Sequence, residues 1–308
     1  MAGLLSVIML TLNEEENLPG ALEHLRGWAD EVFVVDSLST DRTVDIALEA
    51  GAKVVQRPFT NFGDQWNFAL HCLPISGVWT MKMDPDERLS VPLMQEITEA
   101  LRSNQEIAAY SMERRLWFMG EPLHAMGEVL RIWRTGSCQF SDVLVNEHPI
   151  VEGRIQKLKG IMEHFDSPTL HHWFEKQNQY TTMEAIMRMR KDALAADAKW
   201  WGSALERRMF LKKIFYRIPF RYSLLWLYEF FYRQAYRDGR MGLAWTHLRV
   251  EVMRNVEYKY KEMVKKGTIS EIPKAKRGDY DPRILSSALQ AEAMEKDKSR
   301  LQGKRTQG

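Results

Sequence analysis

The stretch WTMKMDPDERLS, residues 79–90, is apolar for the length of a short strand and then turns to acid at Asp84, Asp86 and Glu87. On a parallel sheet the loops at the carboxyl ends of the strands converge, so a strand that ends in carboxylates presents them where ligands bind. Extended backbone points Asp84 and Asp86 to the same side, and Pro85 restricts the bend between them. Two carboxylates this close repel each other, and a divalent cation bridging to a phosphorylated ligand relieves the repulsion. The competing reading is a solvated turn with Glu87 facing water.

The segments on either side build an α/β layer. LLSVIML reads as an opening strand that ends near Thr11 and Asn13, and GALEHLRGW as a helix ending near Asp30. EVFVVDS is a second buried strand, STDRTVDIALEAG a capped helix with glycine behind it, and AKVVQR a third strand. FTNFGDQWNFALHCL runs from a loop into a helix, VWTMKMDP returns to the sheet, and VPLMQEITEALRS makes a further helix. Such alternation lays down a mostly parallel sheet. Three other strand ends also become polar, at residues 11–14, at residues 36–41 and around Glu147, and their convergence weighs more than any one of them. Residues 108–151 are mixed and extended, and the texture is helical from about Ser167 to Lys266. After Lys274 the chain reads as a weakly packed polar tail with room for one helix.

With 308 residues, 45% of them hydrophobic and 27% charged, the chain can bury a substantial core, which excludes the disordered and fibrous classes. Cys72 and Cys138 form neither a disulfide framework nor a close-spaced metal pair, which suits reduced thiols in the cytosol. The opening residues have no basic leader and read as a strand instead of an export signal. No apolar run approaches the roughly 20 residues that span a bilayer. The formal net charge is +2, yet residues 207–240 hold nine Lys or Arg against Glu229 and Asp238, which leaves the remainder acidic. Positive charge confined in this way does not make a nucleic-acid surface.

Thr11 and Asn13 carry groups that hydrogen-bond a nucleobase or ribose, and Asp36 one that accepts from a ribose hydroxyl. Ser39, Thr40 and Asp41 read first as a helix cap, and Arg42 and Arg57 as partners for acids. Glu147 suits proton removal from an attacking hydroxyl, with His148 as the alternative base or a positioning group. His164 and Asp166 form a second polar cluster, followed by His171 and His172. Their spacing is not HExxH, and paired cysteines are missing, so zinc hydrolysis is not the reading. His164 folded toward Asp86 would complete a metal or phosphate environment; a packed histidine at a domain junction is the other reading. Arg131 and Arg134 supply charge near the site or belong to a salt-bridged strand.

TLNEEENL, VVDSLSTDRT, NFGDQWNFAL, MDPDE and NEHP occur in order between Leu5 and Pro149. Together they make the chain resemble family 2 glycosyltransferases, in particular the bacterial branch that includes lipopolysaccharide-core β-glycosyltransferases. The resemblance implies a GT-A-like nucleotide-sugar-binding sheet flanked by helices, with a C-terminal helical extension. It also implies transfer with inversion from a nucleotide diphosphate sugar, a UDP-sugar first, assisted by Mg or Mn. On this basis Thr11, Asn13, Glu14, Asp36, Gln65 and Asp84 fall on the donor side, Asp84, Asp86 and His164 on the metal, and Glu147 at the base. Residues 1–165 are then the catalytic unit, 166–270 a helical acceptor or membrane-associated region, and 271–308 the polar tail. Two departures stand out: relatives often read QRNFAL where this chain has Trp66, and DADE and VHE where it has DPDE and Asn146 before Glu147.

The run RRMFLKKIFYRIPFRYSLLWLYEFFYRQAYRDGR places Phe210, Leu211, Ile214, Phe215 and Ile218 at helical spacing, with Lys212, Lys213 and Arg217 in another sector. A helix of this kind lies on an anionic bilayer or packs on the catalytic unit or an oligomer interface. The implied acceptor is a cell-envelope glycan or a lipid-linked one, which favours the inner face of the cytoplasmic membrane. Two alternatives are a nucleotidyltransferase, for which MLTLNEEENLPG is a poor phosphate loop, and a nucleotide-sugar-binding scaffold that has lost catalysis.

Overall fold

The computed structural model describes residues 3–103, 106–141, 147–167, 169–192, 197–202, 204–270 and 277–306. Asn146 and the residues just before it therefore lie outside the described residues, as does the start of the tail at 271–276. The strands β1 (Leu5–Thr11), β2 (Glu31–Asp36), β3 (Lys53–Gln56) and β4 (Trp79–Lys82) are those expected, separated by α1 (Leu18–Leu25), α2 (Thr43–Glu49) and α3 (Phe62–Cys72). β5 (Glu87–Leu89) and α4 (Val91–Ser103) follow, then the long β6 (Ile107–Phe118), β7 (Glu121–Arg134) and β10 (Arg154–His164). β8 (Cys138–Phe140) and β9 (Pro149–Val151) form a separate ribbon.

The eight-stranded sheet has the order β3-β2-β1-β4-β7-β6-β10-β5. β1 to β4 run parallel, β7 opposes both β4 and β6, and β10 is parallel to β6. The carboxyl ends of β1 to β4 and of β10 consequently face one edge, and that topology gathers Thr11, Asp36, Lys82 and His164. Both faces are covered, as the two-residue period of the strands requires. Val7, Met9, Val34, Val54 and Met81 bury with α1, α2 and α4, while Ile8, Phe33, Val35 and Val55 bury with Trp66 and Phe68 of α3.

The helical extension comprises α5 (Leu170–Arg190), α6 (Ala204–Phe215), α7 (Arg221–Leu227) and α8 (Gly239–Lys266), with short π and 3-10 turns before α8. Ala185 and Ile186 of α5 pack on Val256 and Met263 of α8, and Trp173 and Trp245 close on Phe118 of the β6–β7 hairpin. Among the described residues no helix is long and apolar enough to cross a membrane. The apolar stripe differs in part from expectation: Leu211 is exposed, Phe210, Ile214, Phe215 and Ile218 are half-buried, and further exposed large side chains include Phe220, Leu224, Leu227, Phe231 and Tyr232.

The weakly packed tail is corrected. α9 (Pro282–Leu285) sends Ile284 into one face's core and α10 (Ala288–Thr306) sends Ala293 into the other. The Gln290 amide donates to the Gln56 carbonyl at 2.7 Å and accepts from the Gln56 N–H at 2.9 Å, standing in for a neighbouring strand at the open edge of β3. Arg57, Asp64, Arg300 and Asp297 alternate in a buried ring, with separations of 2.7 to 2.8 Å. Few large apolar residues are needed because small side chains and paired charges make this interface, and composition alone conceals it.

Candidate active site

Registers that pair Thr11 with Asp36 and Asp36 with Gln56 set these three residues in one row. Asp36 is fully buried. It accepts from Thr11 Oγ1 at 3.0 Å, Ser39 Oγ at 2.5 Å, the Ser39 N–H at 3.0 Å and Gln56 Nε2 at 2.9 Å. A carboxylate has about four lone-pair sites, and these four donors occupy them, so Asp36 organises the β2 tip. Thr11 gives its hydroxyl to the same task. Gln65 is fully buried; it accepts from Arg57 Nη1 at 2.8 Å and donates to the Arg57 carbonyl at 3.3 Å.

Asn13 and Glu14 lie at the rim of this row. Asn13 adopts a left-handed backbone, φ 57°, and its side-chain oxygen accepts the Thr40 N–H at 2.8 Å, which ties the β1 loop to the β2 loop. Asp41 accepts the Thr43 N–H at 2.9 Å, but the cap position of α2 is Arg42, which makes no side-chain capping bond, so the capping reading of Ser39, Thr40 and Asp41 is displaced by one residue. Glu14 accepts from Asn17 Nδ2 at 2.9 Å. Burial pushes its carboxyl up to about 7, and the charges of Asp86 and Asp84 add to the rise.

The turn after β4 is neither solvated nor loose. Glu87 is fully buried, receives the Asp84 N–H at 2.9 Å and pairs with Arg131 and with Arg114 at 3.3 Å. Arg131 also donates to Asp84 Oδ2 at 2.9 Å. Burial alone would raise the Asp84 carboxyl; the neighbouring Lys82 and Arg131 charges overrule it and hold the group below the usual carboxylate range. Arg134, by contrast, stacks on Trp79 and donates to the Ile107 carbonyl at 3.0 Å, away from this cluster.

β5 pairs against β10 with His164 opposite Glu87, and this register brings His164 to Asp86. His164 Nε2 is 3.3 Å from Asp86 Oδ2 and 3.8 Å from Asp166 Oδ1. The three residues offer ligand atoms that all lie within 4.8 Å of one another. Lys176 of α5 reaches Asp166 Oδ1 at 2.8 Å and Asp86 Oδ2 at 3.6 Å. Against the cost of burial, His164 and Lys176 hold the Asp86 carboxyl well below its ordinary value. Asp86 Oδ1 is buried and has no hydrogen-bond partner among the described residues. A buried oxygen left in this state is costly unless a ligand completes it. Two carboxylates and an imidazole suit Mg or Mn. Asp84 is paired with Arg131, and Asp166 joins Asp86 and His164 in the group of three.

Glu147 Oε1 is held by Lys82 Nζ at 2.8 Å, with both side chains nearly buried. The Lys82 ammonium lies 4.6 Å from the Trp66 ring centre and 5.4 Å from that of Phe140. The indole of α3 thus lies under the lysine at the end of β4. His148 beside it has a buried Nε2 without a partner among the described residues, and burial and Arg208 push its ring below the ordinary value. Lys82 and Lys176 were missed by sequence reasoning. A lysine inside the apolar WTMKM is a legible signal; Lys176 has none, because only the packing of α5 brings it back to Asp86.

A family model described as "Glycosyl transferase family 2" matches residues 6–139. An uncharacterized glycosyltransferase of Rickettsia typhi is 28% identical over 234 residues, covering 69% of this chain and 77% of that protein. The lipopolysaccharide core biosynthesis glycosyltransferase LpsC of Rhizobium meliloti is 30% identical over 193 residues, covering 59% of this chain and 70% of that protein. Among solved structures, glucosyl-3-phosphoglycerate synthase of Mycobacterium tuberculosis, in complex with Mn2+, UDP-glucose and phosphoglyceric acid, is similar at 19% identity and a TM-score of 0.41. That match covers 59% of this chain and 78% of the other.

Proposed function

The chain belongs to glycosyl transferase family 2, an enzyme family of sugar transfer, and from that premise we propose that it moves a sugar from a nucleotide diphosphate sugar to a hydroxyl of a cell-envelope glycan or lipid-linked acceptor. A UDP-sugar is the first donor to test, and the named role of the Rhizobium meliloti relative supports the acceptor class. The observation that carries the donor half is the buried Asp86 oxygen without a partner, within a cluster completed by His164 and Asp166. These three residues would hold Mg or Mn, which when bound neutralises the departing diphosphate. Asn13 and Glu14 border the donor side, and Asp84 with Arg131 closes it.

Glu147 is the proposed base for an inverting displacement, oriented by Lys82. Glu147→Gln is expected to keep donor affinity and to lose about 10³-fold in transfer; turnover within a few-fold of the parent removes Glu147 from this role. The first assay is nucleotide release from a panel of UDP, GDP, CMP and dTDP sugars with Mg or Mn and with chelator. Release that survives chelation overturns the metal assignment.

The exposed Phe220, Leu224, Leu227, Phe231 and Tyr232, with Lys213, Arg217 and Arg240 also exposed, support peripheral contact with an anionic inner membrane surface. Flotation with anionic vesicles tests it: the protein should float with phosphatidylglycerol vesicles and stay behind with neutral ones.

A further inference from the structure

Just before its last two helices the tail crosses the tips of β2 and β3 with residues 277–281. The Gly278 N–H donates to the Leu38 carbonyl at 2.8 Å. Leu38 has a left-handed backbone, φ 67°, a conformation that a leucine keeps only where its surroundings hold it. The approach is close: a methyl group on Gly278 would stand 3.3 Å from both the Ser39 carbonyl oxygen and Thr40 Cγ2. Three residues on, the Asp281 N–H donates to Gln56 Oε1 at 2.6 Å.

Gln56 is 1% exposed, and both ends of its amide are engaged. While Oε1 takes the Asp281 N–H, Nε2 donates to Asp36 Oδ2 at 2.9 Å. A donor on one side and a carboxylate on the other allow one orientation of the amide. From Asp36 the bonds continue: Ser39 Oγ donates to Asp36 Oδ1 at 2.5 Å and accepts the Asn13 N–H at 2.9 Å. The two tail contacts thus meet at residues 38 and 39, where the β2 loop carries Asn13. Sealing the β3 edge does not need the Gln56 side chain, because Gln290 does that through the Gln56 backbone.

We infer that Gln56 is a positioning residue for the nucleoside half of the donor, and that through it the tail segment 277–281 holds the Ser39–Asn13 junction in its binding shape. The inference rests on the reading of Asn13 as part of the donor side. A buried amide fixed between two partners passes the position of one to the other, and each bond in such a chain strengthens the next. The cluster of Asp86, His164 and Asp166 stands apart, on the turn after β4 and at the end of β10. Among the described residues, 277–281 make no hydrogen bond to it. The tail therefore acts on the nucleoside end and leaves the diphosphate end independent.

Calorimetry on the full chain tests this with two probes, UDP and inorganic pyrophosphate, each with Mg2+. Gln56→Met keeps the length of the side chain and leaves the Gln290 clip, but removes both side-chain bonds. UDP affinity should fall about tenfold, while pyrophosphate affinity stays within about twofold. In donor turnover KM should rise with kcat held within about twofold, a split that general loosening does not produce. Gln290→Ala is the control for a purely structural role: it should lower the melting temperature and keep UDP affinity within about twofold. Gly278→Ala, the milder variant, presses on the Ser39 loop and should cost UDP affinity about threefold. Unchanged UDP affinity in Gln56→Met, or an equal loss with pyrophosphate, overturns the inference. Should Gln56→Met fail to fold, unchanged UDP affinity in Gly278→Ala does the same. Failure of UDP to bind the parent protein strikes the donor reading itself, so the two ideas fail separately.

Discussion

Asp36 ends β2 and Asp86 lies in the turn after β4, both buried, and they differ in what their oxygens do. Asp36 is surrounded by donors from three strands' tips, and Asp86 keeps one oxygen without a partner. Burial and position do not distinguish a carboxylate that builds a loop from one that awaits a ligand. The hydrogen-bond inventory does, because a satisfied group gains little from a ligand and an unsatisfied one gains much.

The sharpest way to break this contrast is at Asp86. Asp86→Asn should abolish measurable Mg or Mn binding and reduce sugar transfer about 10³-fold, while the melting temperature stays within a few degrees; calorimetric titration and thermal melts read the two effects. Asp36→Ala should do the reverse. It leaves the donors of Ser39 and Gln56 unpaired, so urea denaturation should show a loss of about 2–4 kcal/mol, with metal affinity unchanged. A collapse of metal binding in this variant would erase the distinction between the two sites.

Glu14 borders both regions and sharpens the comparison by a smaller amount. Its carboxyl is raised from 4.5 to about 7 by burial, so the folded chain holds the proton more tightly than the unfolded one. That contribution is present at low pH, declines as pH rises from about 4.5 toward 7, and is gone above it. Glu14→Gln should remove the slope, narrowing the stability difference between about pH 5 and pH 8 by about 1 kcal/mol.

Strands β1 to β4 were legible because their apolar runs stop at polar tips, and the acidic turn was legible as a site because of where it stops. The filling of Asp36 and the burial of Gln65 were not, since both follow from register across three strands and not from local pattern. Asp166 appeared in the sequence only as part of a polar cluster; the pairing of β5 with β10 is what brings that cluster to Asp86. The tail was misread for a related reason. Its adhesion depends on Gln290, Asp297 and Arg300, whose partners lie more than 200 positions earlier.

The Gln290 amide that clips the backbone of Gln56 also has a temporal side. During synthesis the β3 edge emerges 234 positions before the group that seals it, so the nascent donor half carries an open hydrogen-bonding template for most of translation. At ribosomal elongation of about 5–20 residues per second that interval lasts roughly 10–50 seconds. The newborn chain is therefore most prone to aggregate not while its acidic turn is being made, but in the long wait for a helix to come back and close the first sheet edge.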